Sequence, residues 1–81
     1  MKRIELTTVA DKCARANDSA LLEVIAFGNE PPSTFAGVKP KHAKEELRRR
    51  FRALHGISNG ALRRSELWQT IFRITYGVDA I

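Results

Sequence analysis

From Val9 onward the apolar side chains recur every three or four residues: Val9, Cys13, Ala16, Ala20, Val24 and Phe27, with Leu21 and Ile25 widening the stripe. That period marks a helix with one face on a core. It predicts a first helical segment over residues 8–28. Thr8, three residues ahead of Asp11, opens it in the manner of a capping box, and Gly28-Asn29 closes it because both residues tolerate left-handed backbone. Asn17-Asp18-Ser19 is poor helix material and offers Asp18 or Ser19 as a fresh N-cap, so the segment is one helix or two short ones. The apolar register runs through the polar triplet without a jump, which favours one.

Lys2 to Leu6 alternates polar and apolar residues, but no second strand is at hand to pair with it, so residues 1–7 read as an extended arm. Residues 29–39 read as a linker in which Pro31-Pro32 excludes helix and Phe35 and Val38 fold back as apolar anchors. Pro40 suits the first turn of a helix over residues 40–55, with Ala43, Leu47, Phe51 and Leu54 as its stripe. Gly56-Ile57-Ser58-Asn59-Gly60 breaks the pattern and supplies Ser58 or Asn59 as the next cap. A last helix over residues 61–76 carries Leu67, Trp68, Ile71, Phe72 and Ile74, and Gly77 ends it. The expected fold is all-α, a small domain of three helices (four if the first segment divides). Its C-terminal helical hairpin brings Phe51 against Phe72.

Charge adds what the pattern alone does not. Nine of the fourteen lysines and arginines lie between Lys39 and Arg64, opposed there only by Glu45 and Glu46, a local balance of nine less two, or +7. Five bases and seven acids make up the rest, or −2, so the chain total of +5 is a local field. At 100° per residue, Lys41, Lys44, Arg48, Arg52 and His55 fall within a sector of about 80° on the middle helix, beside its apolar stripe. Arg63 and Arg64 extend the row across the turn. A row of cations matches phosphates and displaces their condensed counterions, which points to nucleic acid, with duplex DNA as the expected form. Lys41, Lys44, Arg48, Arg52 and Arg63 are the expected phosphate contacts, and Arg64 and Gln69 the expected base contacts. Glu45–Arg49 and Glu46–Arg50 are acid-first pairs four apart, which stabilise an exposed helix and do not add to the field. Two helices around a glycine turn suggest a helix-turn-helix, but Arg52 stands where close helix crossing needs a small residue, and His55 where an apolar one is expected. An ordinary αα-hairpin accounts for the spacing equally well.

The final helix has an apolar arc of about 160°, wider than the roughly 100° of a one-sided surface helix. Leu67, Trp68, Ile71 and Ile74 are therefore candidate partner-binding residues, and a homodimer is the expected use of them. Against this, Ile4 and Leu6 from the arm, with Phe35 and Val38 from the linker, could cover the flank within one chain. The alternative function is a protein-binding adaptor or inhibitor, of the kind phages and other mobile elements encode. It would dock the basic face on an acidic protein surface or the aromatic stripe on a groove.

Enzyme chemistry finds no support. His42 and His55 form neither a metal-ligand pair nor a nucleophile–base arrangement, Cys13 sits on an apolar stripe, and no lysine follows the glycines as a phosphate loop requires. No catalytic residue, metal or cofactor is expected. A single cysteine excludes an intrachain disulfide, and no leader or membrane span can be drawn, so a cytoplasmic protein is expected.

Overall fold

The side chains that interrupt the apolar pattern decide where the helices break. A computed structural model describes residues 9–81, and among them the structure is all-α with no strand. It holds five α-helices where the sequence pattern predicts three or four: α1 Val9–Arg15, α2 Asp18–Phe27, α3 Pro40–His55, α4 Asn59–Arg64 and α5 Glu66–Tyr76. The expected arm at residues 1–7, its Ile4 and Leu6, and Thr8 as the opening cap lie outside the described residues. The chain divides into two compact units, Met1–Glu46 and Leu47–Ile81.

In the first unit the polar triplet prevails over the register, so the single helix expected over residues 8–28 is in fact two. Asn17 takes extended backbone (φ −82°, ψ 171°) and its Oδ1 accepts from the Ala20 N–H at 2.8 Å, so it, and not Asp18 or Ser19, caps α2. A cap of this kind contributes about 1 kcal/mol, more than continuing a helix through Asn-Asp-Ser would return. Cys13 from α1 and Leu21 and Val24 from α2, all on the expected stripe, are buried, while Phe27, expected on the same stripe, is exposed. Gly28 closes α2 by donating to the Val24 carbonyl at 3.2 Å. After Pro31-Pro32 comes a single 3-10 turn, Ser33–Phe35, with Phe35 half-buried and Val38 fully so. Lys12 Nζ donates to the Ala36 carbonyl at 2.9 Å and fastens this linker to α1. At the start of α3 the Lys39 N–H donates to His42 Nδ1 at 3.1 Å, which satisfies a backbone donor that the helix leaves orphaned and gives His42 a structural task.

In the second unit Leu47, Phe51, Leu62 and Phe72 are fully buried, with Tyr76 and Ala80 nearly so. Phe51 and Phe72 meet as expected, ring centroids 5.2 Å apart and edge to face. Leu54, the expected end of the α3 stripe, is 73% exposed. His55 takes the place beside Phe51 instead, its ring 4.3 Å away. Ser58 caps α4 by accepting from the Ala61 N–H at 3.1 Å. The helix expected over residues 61–76 divides at Ser65, which donates its N–H back to Ala61 and accepts from the Trp68 N–H through Oγ at 3.3 Å. One serine thus ends α4 and begins α5. Gly77 ends α5 in the left-handed region (φ 79°, ψ 9°) and donates to the Arg73 carbonyl at 2.7 Å.

Candidate nucleic-acid interface

The basic row on α3 has its members in different environments. Lys41, in the first unit, is exposed, and Lys44 is half-buried. In the second unit Arg48 is half-buried and its Nη1 donates to the Ala80 carbonyl at 2.8 Å, so the guanidinium expected to meet phosphate holds the end of the chain against α3. Arg52 Nη1 donates to Asn59 Oδ1 at 3.0 Å, bridging the turn between α3 and α4. That acceptor is a neutral amide, so the bond fixes the guanidinium without cancelling its charge, and four of its five N–H donors remain.

Asn59 opens α4, and Arg63 follows it by one helical turn, about 5–6 Å along the same face. Arg52 thus docks at the first turn of the helix whose last turn carries Arg63. Arg63 and Arg64 are both exposed. Arg64 folds along α4 over Gly60, where a Cβ would come within 2.9 Å of its Nη1. Gln69 has a different task from the base contact expected of it. Its Nε2 donates to the Arg63 carbonyl at 2.8 Å and the Leu62 carbonyl at 3.4 Å, satisfying acceptors that the end of α4 leaves orphaned. It positions the turn that carries Arg63 and Arg64.

An aromatic group borders this cluster. His55 lies one turn beyond Arg52 on α3, exposed, with its ring 4.3 Å from Phe51 and 5.4 Å from Trp68. Of the four residues expected to bind a partner, Trp68 and Ile71 are half-buried, while Leu67 and Ile74 are 65% and 78% exposed. Phe72 and Tyr76 fill the buried flank of the same helix. Sequence pattern singles out neither Asn59 as an arginine anchor nor His55 as part of an aromatic surface. Spacing holds the one signal: His55 stands one turn from both Arg52 and Phe51, and Asn59 one turn before Arg63.

Elsewhere in the second unit a cleft of about 320 Å³ is lined by Glu66, Thr70, Arg73 and Asp79 among others. Arg73 and Asp79 pair across it at 3.7 Å, both well exposed, so the contact adds little stability. Among the described residues no three His, Cys, Asp or Glu side chains gather as metal ligands, and no helix is long and apolar enough to cross a membrane. No protein-family model, curated protein or solved structure matches the chain.

Proposed function

We propose that this chain is a non-enzymatic nucleic-acid-binding protein, a small cytoplasmic regulatory or accessory factor that grips phosphates with the guanidinium cluster around α4. One observation carries the reading. Arg52 is tied to Asn59 at the start of α4, Arg63 and Arg64 stand exposed at the end of the same short helix, and among the described residues none of the three is paired with an acid. Charge alone favours duplex DNA, whose phosphates are the denser row.

Fluorescence anisotropy of a labelled duplex tests this. Replacing Arg63 and Arg64 by Ala leaves α4 its helix propensity and the Gln69 bonds to backbone carbonyls. Affinity falls, and the slope of log K against log salt drops by about 0.9 for each phosphate that the variant no longer neutralises. An unchanged slope in the double variant refutes phosphate contact by these residues. Absence of any binding at low salt, to this duplex and to a labelled single strand alike, refutes the function.

The exposed flank of α5 favours a second reading, association through apolar contact. Leu67, Ile71 and Ile74 are spaced four and three, and an identical helix laid antiparallel presents the same spacing in reverse, so the fitting occupant is a second copy. Burying what Leu67 and Ile74 expose is worth about 1–2 kcal/mol each, or about 4–8 kcal/mol over two chains. Association itself costs about 4–15 kcal/mol, so any dimer is weak. Sedimentation equilibrium then gives 9.1 kDa in dilute solution, a higher mass on concentration, and no rise for Ile74→Asp. A rise that survives Ile74→Asp rejects this face, and capture of a different apolar peptide by the wild type would reassign it to an adaptor.

A further inference from the structure

We infer that His55, flanked by Trp68 and beside Arg52, is a platform on which an unpaired nucleobase stacks while its flanking phosphate meets the guanidinium. The inference rests on the nucleic-acid reading and narrows it to strands with accessible bases. The His55 ring leans on Phe51, centroids 4.3 Å apart and planes tilted by 52°, yet the residue is exposed, so part of the ring surface meets solvent. Phe51 behind it is fully buried and in edge contact with Trp68, Phe72 and Tyr76, which holds the backing rigid. Trp68, half-buried, stands beside it with ring centroids 5.4 Å apart and planes tilted by 48°, so it flanks the stacking face of His55 and does not extend it. A pre-ordered aromatic surface binds without the entropy cost of assembling it.

Arg52 completes the arrangement. It stands one turn before His55, its side chain already fixed by Asn59 at 3.0 Å, with N–H groups left for an anion. The two side chains leave α3 one turn apart, about 5–6 Å between their Cβ atoms, so a phosphate at the guanidinium and a base of the same strand at the ring are neighbours. Bases inside a duplex have both faces covered by their neighbours and cannot use the platform. Unpaired bases can, and because every base has a π-face the site discriminates little among sequences.

Trp68 is the sole tryptophan, so its emission reports on this site alone. The test titrates the whole chain with oligothymidylate on the order of a dozen nucleotides, within the span of single-strand sites. Parallel titrations use oligouridylate, a duplex of equal length and inorganic polyphosphate. Both single strands should quench Trp68; duplex and polyphosphate should bind with salt-dependent affinity and leave its emission unchanged. His55→Ala should weaken single-strand binding by about 5- to 150-fold, the loss of one stacked base, with polyphosphate binding unchanged. His55→Phe should restore it. Single-strand binding that leaves Trp68 emission unaltered, or equal affinity in His55→Ala, overturns the platform while leaving phosphate binding intact. Failure of all four ligands to bind overturns the nucleic-acid reading and the platform with it.

Discussion

Phe51 and Leu54 are one helical turn apart, and sequence pattern gives them the same role, yet the structure makes them opposites. Phe51 is fully buried, in edge-to-face contact with Phe72 at 5.2 Å, Trp68 at 6.1 Å and Tyr76 at 6.3 Å. Truncation to Ala costs about 3–5 kcal/mol for transfer and cavity. Three aromatic pairs, each worth about 0.5–1.5 kcal/mol beyond area burial, place it at the upper end. A chain of 81 residues has about 4–12 kcal/mol of total stability. Phe51→Ala therefore removes a third of it or more, and at about 4–8 °C per kcal/mol the melting temperature falls by at least about 15 °C. Leu54 is 73% exposed, so the remaining quarter of a Leu burial is worth under about 0.8 kcal/mol. Ala is the better helix former, and Leu54→Ala should stay within about 0.5 kcal/mol of wild type. Thermal melts by far-UV circular dichroism, with urea titration of Trp68 emission alongside, measure both. If Phe51→Ala is unfolded throughout, Phe51→Leu leaves a smaller cavity and keeps the comparison measurable. A Leu54→Ala destabilisation equal to that at position 51 would refute the α3 register in which Phe51 points inward and Leu54 outward.

Gln69→Ala should cost about 1 kcal/mol, because two carbonyls at the end of α4 lose their donor. Gln69→Glu should cost more, since a carboxylate would face those same acceptors; equal stability of all three proteins in urea would remove the positioning role. Arg48→Ala should cost about 1–2 kcal/mol, and hydrogen exchange should accelerate at residues 78–80 once the Ala80 carbonyl loses its guanidinium. Exchange unchanged there would show that the bond does not hold the segment. Gly77→Ala should cost about 1–2 kcal/mol from backbone conformation alone, because φ is +79° and no atom lies within 4 Å of the added Cβ. A neutral melt would mean that α5 ends differently.

Sequence by itself determined the all-α class, the bounds of the helix from Pro40 to His55, the glycine that ends the last helix, and the meeting of Phe51 with Phe72. These follow from signals that act within a few residues: apolar period, proline at a first turn, glycine at a left-handed stop. The two extra breaks were local as well, but they came from competition. Asn17 and Ser65 each exchange helical continuity, over two residues and one respectively, for a side-chain cap, and the small difference between those terms does not appear in the period of the apolar residues.

What each arginine does was decided only in three dimensions. Arg48 and Arg52 are chemically the same residue, one turn apart on one face. One reaches a carbonyl 32 residues away, at Ala80, and the other an amide across the turn, at Asn59. The same holds for Leu54 and His55, of which the ring, and not the aliphatic chain expected there, contacts Phe51. Charge and periodicity fix which face of a helix is polar. Which polar group is taken up inside the protein depends on acceptors brought near by the rest of the chain, and those have no fixed spacing in sequence.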